Sequence, residues 1–399
     1  MNAGPRASTV GSVDRRIDAL DVLRGVAILG TLGTNIWIFT DPAGPLGILS
    51  FGGEPGVAET FLRFLSNGKF LGLLTLLFGV GLELQYRSAA RKGARWPGRY
   101  LWRAALLLAE GAVHFVLIFE FDVLMGYALT SMIVAYLIGR SRRVVTAWMV
   151  AAGTLHVAMV GLLTLALLTA SPSGGTGSPG GGAGSPGGGA AAVAYPGGWL
   201  DQVRLRLDNL VLFRAELVFI VPLGIVLFLL GARLMRAGLF EERGARLRSR
   251  LMAAGLGAGV PLNLITSFAG PAWFMVDRYL VAPLVALGLL ALIASIVLGL
   301  RGEPGVLRRG LTAVGRTALS CYVFQNVAAS VLCYGWGLGL AGRLDGLRPW
   351  WVPVAWAGIC LLFMVLASLW LRRFERGPLE LAWQWAYQAP FRTRAPAQR

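Results

Sequence analysis

Residues 278–300 read RYLVAPLVALGLLALIASIVLGL, an apolar run with no acidic or basic residue between Arg278 and Arg301. A helix needs about 20 such residues to cross a hydrocarbon core of about 30 Å. Barrel strands would instead alternate apolar and polar residues over about ten positions. The run therefore reads as a transmembrane helix, which satisfies its own backbone hydrogen bonds as lipid requires. Working outward, runs of the same character recur at about 19–39, 65–86, 100–119, 122–139, 144–170, 210–232, 251–270, 314–335 and 350–371. The 399 residues are 56% hydrophobic and only 14% charged, too little charge to cover a water-soluble surface. A mean hydropathy of +0.64 agrees. The expectation is an all-α, polytopic transmembrane helical bundle of about 10 spans.

Orientation follows from the basic residues. With the N-terminus inside, 28 of the 37 Lys and Arg fall in cytoplasmic segments and 7 in outer ones, while Arg24 and Lys69 sit within or at the rim of spans. That asymmetry repeats loop after loop, so the positive-inside rule gives an N-in/C-in, multi-pass protein. The formal net charge of +17 does not signal nucleic acid, because the basic residues form short clusters between apolar runs and no single patch. Residues before Leu20 show no secretory signal, so the first apolar stretch is expected to be a retained span. Cys321, Cys333 and Cys360 form no CxxC pattern and read as small buried hydrophobes, implying neither a disulfide framework nor a metal site.

Ser171–Ala190, SPSGGTGSPGGGAGSPGGGA, cannot build a core and reads as a linker on the outer face. The expected organisation is a cytoplasmic tail over 1–18, five spans over 19–170, the linker over 171–198, five spans over 199–371 and a tail with an interfacial aromatic segment over 372–399. An odd number of spans per half permits an inverted repeat, but no internal sequence echo supports one.

Ionisable groups inside spans cost roughly 2.5–3.5 kcal/mol each and so mark candidate sites. Asp21 and Arg24, three residues apart, share a helix face; they either pair locally or hold an anionic group of a cofactor or lipid. Asn35 lies 11 residues beyond Arg24, about 16 Å along the same helix and on nearly the same side. Glu110 and His114 share a face, with Glu120 and Asp122 following. His114 is either packed or a proton acceptor whose ring a carboxylate orients. His156, alone on an apolar span, reads as a packed or interhelical hydrogen-bonding residue. Lys69 either snorkels outward or approaches His114 and Asp122. Glu216, Asn263 and Thr266 at similar depth, and Gln325 and Asn326 near mid-membrane, either join helices or line a cavity.

Three stretches, RIDALDVLRGVAILGTLGTNI (16–36), Asn67–Gly81 with GAVHFVLIFEFDVLMGYAL (111–129), and GRTALSCYVFQN, GWGLGL and FERGPLELAWQWAY toward the C-terminus, resemble the YeiB-like bacterial membrane proteins, domain of unknown function 418. The resemblance runs from about Arg16 to Tyr387. The opening is also similar to membrane acyltransferases of the heparan-glucosaminide N-acetyltransferase type. That similarity implies acetyl-CoA or another acyl-CoA as donor on the cytoplasmic side, contacted by Asp21 and Arg24, and Asn35 near the reaction centre. Those enzymes carry a histidine shortly after the first span; Ile36–Thr60 contains none, and His114 is the available substitute. The resulting expectation is an acyltransferase of the bacterial cell membrane. His114 acts as base, Glu110 or Asp122 orients it, and Lys69 or Asn35 stabilises the oxyanion. No metal is expected. Expected partners are the bilayer and a small-molecule, glycan or lipid acceptor; a homodimer is compatible with this reading. The rival readings are a transporter or export component and a non-catalytic scaffold.

Overall fold

A computed structural model describes residues 6–45, 47, 55–170, 195, 197–300 and 302–391. The glycine-rich stretch 171–190, most of the linker expected over 171–198, and the ends of both tails lie outside the described residues. In chain order the main helices are α1 (Arg6–Phe39), α2 (Val57–Phe64), α3 (Lys69–Arg91), α4 (Arg99–Leu117), α5 (Leu124–Leu137), α6 (Arg142–Ala170), α7 (Trp199–Asp208), α8 (Leu210–Arg214) and α9 (Leu217–Arg236). Then come α10 (Ala245–Met252), which runs through a π-helical stretch Ala253–Ala258 into α11 (Gly259–Phe268), and α12 (Ala282–Gly299), preceded by a π-helical turn Asp277–Val281. The chain closes with α13 (Val306–Arg316), α14 (Ala318–Cys333), α15 (Trp351–Trp370) and α16 (Pro378–Gln388). No strand occurs among the described residues.

Eight helical segments are long and apolar enough to span, and Leu124–Leu137 and Ala318–Cys333 are shorter apolar helices. Each of the ten sequence-predicted spans lands on one of these. The two short ones reach only about 21 and 24 Å at 1.5 Å per residue, less than the hydrocarbon thickness. Their polar residues are sheltered by protein: Tyr127, Thr130, Gln325 and Asn326 along them are fully buried.

α1 is the hub of the bundle. Of its apolar window 89% is buried, against 22% for α6, which faces outward. α1 packs on α13, α3, α14 and α15, while α3 packs on α9 and α12, so helices from the two halves of the chain interleave. The closest approach is between α1 and α13. A side chain at Gly315 would overlap the backbone of Asp21, and one at Gly25 the backbone of Leu311.

Clusters of polar groups occupy both ends of the bundle. At the arginine-rich end, Glu83 receives Arg87 (2.7 Å) and both arms of Arg236 (2.8 and 2.7 Å), and Arg236 also donates to the Ile138 carbonyl (2.8 Å). At the opposite end, segments around 34–42, 55–67, 266–278 and 345–348 converge on one cleft.

Candidate functional site

The break between α4 and α5 sets the site. Ile118–Val123 turns inside the protein, with Phe119, Glu120, Asp122 and Val123 all buried. Irregular backbone at that depth persists only if its polar groups find partners. Two arginines supply them. Arg206, itself 1% exposed, donates to the Glu120 carboxylate (2.8 Å), to the carbonyls of Val116 (3.0 Å) and Ile118 (3.2 Å) and to the Tyr195 hydroxyl (3.3 Å). Tyr195 in turn donates to Glu120. Burial and the adjacent Glu120 carboxylate hold the Tyr195 phenol above its ordinary pKa, so it remains a donor. Arg214 donates to the carbonyls of Asp122 (3.2 Å) and Glu120 and lies 4.0 Å over the Phe115 ring.

The turn so held brings Asp122 back beneath His114. Asp122 Oδ1 lies 2.9 Å from His114 Nδ1 and accepts from the Tyr322 hydroxyl at 3.2 Å; Oδ2 accepts the Met125 N–H at 3.2 Å. A carboxylate can only accept, so we place the proton on Nδ1, which leaves a lone pair on Nε2. Nε2 faces the Asn326 amide nitrogen at 3.3 Å, and Asn326 Oδ1 accepts from Asn35 at 3.4 Å. Asn35, Asn326, His114 and Asp122 therefore form one directional chain joining α1, α14 and α4. All four are buried, Asn326 completely. One residue earlier on α14, Gln325 donates to the Ile28 carbonyl (3.1 Å) and fixes α14 against α1.

Of the sequence-predicted site residues, the fold brings together His114, Asp122 and Asn35. Glu110 sits one turn before His114 on α4. Its Oε2 is buried with no hydrogen-bond partner among the described residues, and the carboxylates that face it are Asp122 and Glu380. Asp21 and Arg24 pair with each other at 3.0 Å, with the Arg24 side chain 37% exposed. Arg103 and Arg316 are the further cations beside this pair.

Lys69 engages a different set of groups. Its ammonium donates to the Phe64 carbonyl, lies 4.0 Å over the Phe64 ring and has Asp277 as its neighbouring carboxylate. Asp277 accepts from Asn263 (2.6 Å), Thr266 (2.7 Å), Ser267 (2.9 Å) and Asn67 (2.8 Å). His156 makes an interhelical contact, with Nε2 3.1 Å from the Tyr279 carbonyl in the π-helical turn.

Asn326 is marked by sequence only as a polar residue that joins helices or lines a cavity, and two further contributors, Tyr322 and Glu380, carry no such mark. Tyr322 and Asn326 are four apart on α14, a spacing that would have revealed one polar face. Glu380 of α16 accepts the Leu319 N–H (2.8 Å), the Ser320 N–H (3.3 Å) and the Ser320 hydroxyl (2.5 Å), and so caps the first turn of α14. No local spacing announces that contact.

The cleft at the arginine-poor end has a volume of about 680 Å³, within the range of small-molecule sites. Thr34, Trp37, Ile38 and Asp41 of the α1 end line it, whereas Asn35 points to the His114 chain. Among the described residues no three His, Cys, Asp or Glu converge to hold a metal ion, and the three cysteines are free and buried.

Residues 234–389 match the family described as "Protein of unknown function (DUF418)". The chain is 26% identical over 394 residues to uncharacterized protein YxaH of Bacillus subtilis (strain 168), covering 93% of this chain and 94% of that protein. It is 29% identical over 401 residues to uncharacterized protein YeiB of Escherichia coli (strain K12), covering 95% and 97%. A 110-residue stretch, 26% of this chain, is 32% identical to 29% of an uncharacterized 39.9 kDa protein of Bacillus acidopullulyticus. No solved structure matches. The family match in the C-terminal region and the two similarities that run nearly end to end bear out the resemblance of this chain to the YeiB-like proteins of the DUF418 family.

Proposed function

We propose that this protein is an acyltransferase embedded in the bacterial cell membrane, with both termini cytoplasmic, that moves an acyl group from cytoplasmic acyl-CoA to an acceptor hydroxyl or amine. The observation that carries the reading is the directional chain Asn35–Asn326–His114–Asp122, which sets a basic imidazole nitrogen at the core of the bundle. Asp122 holds the ring in one tautomer and stabilises the imidazolium that forms when His114 Nε2 takes a proton. Asn326 must give up Nε2 for this to happen, and its amide, with that of Asn35, then becomes a donor for a developing oxyanion. In the balanced step the acceptor oxygen or nitrogen bonds to the thioester carbonyl and the C–S bond breaks. The acceptor's proton passes to His114 and on to the departing sulfur.

Two helices support a route from the arginine-rich end to this core. On α1, Arg24 and Asn35 share a side; on α4, Arg103, Glu110 and His114 fall at i, i+7 and i+11, also on one side. Arg24, Arg103 and Arg316 gather where the donor's phosphates would bind, beside the carboxylates of Asp21 and Asp18. The unpaired Glu110 oxygen lies along the way. Lys69 has no place in this step.

Membranes carrying the His114→Ala protein and supplied with radiolabelled acetyl-CoA test the proposal. Transfer should fall by roughly 10²–10⁴-fold; undiminished transfer removes the base. The second reading, an export component, draws on the cleft, whose lining does not include His114. Substrate movement across sealed vesicles without any acyl-CoA favours it.

A further inference from the structure

The cleft combines a charged interior with an apolar rim, and α2 builds both. Val57, Phe61 and Leu65, at 76%, 48% and 51% exposure, form one side of this helix and its end, while Glu59 and Arg63, one turn apart, line the cleft. A short helix divided in this way lies in a membrane interface with its apolar side among acyl chains. The exposed Phe268 continues the rim across the cleft.

Inside, the guanidinium of Arg63 lies 5.3 Å over the Trp37 ring and that of Arg348 5.9 Å from it. Both pair with the one carboxylate of Glu59, at 2.5 and 3.0 Å, so one positive charge in this group is uncompensated. Among the described residues, Arg63 Nε is buried without a hydrogen-bond partner. Asp277 also lines the cleft, where it accepts from four neutral donors and has the Lys69 ammonium as its cationic neighbour. Asp41 and Asp345 also line the cleft. Two arginines that share one carboxylate suit a phosphate, and nearby carboxylates suit an ammonium or hydroxyls.

We propose that this cleft holds the headgroup of a phospholipid-like amphiphile from the leaflet at the arginine-poor end. Its phosphate lies against Arg63 and Arg348, its amine or hydroxyl toward Asp41 and Asp345, and its chains leave over Val57 and Phe268. Binding of this kind needs no acyl donor and no His114, so it stands or falls independently of acyl transfer.

The test is retention in native mass spectra of the full chain in neutral detergent, using three probes: short-chain phosphatidylethanolamine, glycerophosphoethanolamine without chains, and diacylglycerol without a headgroup. The expected result is retention of the intact lipid well above both fragments. Arg63→Gln should lower it roughly tenfold or more, while Arg309→Gln, on the exposed surface of α13, leaves it unchanged. Melting temperature checks the fold of each variant. Arg348 also donates to the Thr40 carbonyl (2.7 Å), so if Arg348→Gln unfolds the protein, Arg63→Gln decides. Retention unaltered in a folded Arg63→Gln protein, or diacylglycerol held as well as the lipid, overturns the phosphate contact. Equal retention of glycerophosphoethanolamine overturns the amphiphile and makes the ligand a soluble phosphate ester.

Discussion

Glu110 and Asp122 are both carboxylates near His114, yet they are held in opposite ways. Asp122 collects three donors, while one oxygen of Glu110 is buried with none among the described residues. A buried, unpaired acceptor costs about 1–3 kcal/mol. Glu110→Gln removes the charge while keeping the shape, so thermal unfolding in detergent should show a protein at least as stable as the parent, with transfer from acetyl-CoA reduced. A destabilised Glu110→Gln protein would show that Glu110 has a structural partner. The sequence made His114 and Asn35 visible as polar residues in apolar runs. It left the choice between Glu110 and Asp122 open, because helical spacing favours the residue four away and only a chain reversal brings Asp122 under the ring. Lys69 shared a depth with His114, but depth alone does not fix which side of a bundle a side chain occupies, and its ammonium turns toward Asp277.

At the level of elements, the reversal at Ile118–Val123 depends on α7 and α8. Arg206 meets a buried carboxylate and two carbonyls there, so Arg206→Met leaves Glu120 buried and uncompensated. The expected loss is about 3–5 kcal/mol, read from thermal unfolding. Adding Glu120→Gln to Arg206→Met should recover part of that loss; no recovery would mean that the carbonyl contacts, and not the ion pair, hold the turn. Counting Arg206 among the outer basic residues rests on chain order alone, which carries no sign of its burial against Glu120. Trp356, near the start of α15, turns inward and donates to the Leu29 carbonyl at 2.9 Å, while Trp350 is exposed. Span positions were legible because hydrophobic length is a local property. The contacts that bend or clamp a span join residues about 90 apart and leave no local pattern.

For the molecule as a whole, ten apolar helices were readable from the sequence, but their interleaving was not. The stretches 19–170 and 199–371 look like two halves in the chain. In space α1 is wrapped by α13, α14 and α15, and α3 lies between α9 and α12. Neither half can then bury its own core. Each half expressed alone should be degraded or aggregate, whereas the two co-expressed, divided within 171–190, should co-purify in detergent. Stable, monodisperse single halves would show that the interleaving is dispensable.

The cap that Glu380 places on α14 has a consequence in time. α14 carries Tyr322 and Asn326, and its first turn is completed by a residue about 60 positions later. A nascent chain therefore inserts α14 with open amides and acquires the finished His114 surroundings only when the closing segment has left the ribosome. A transcript cut short before that codon yields a protein that is threaded through the membrane but still unassembled at its core.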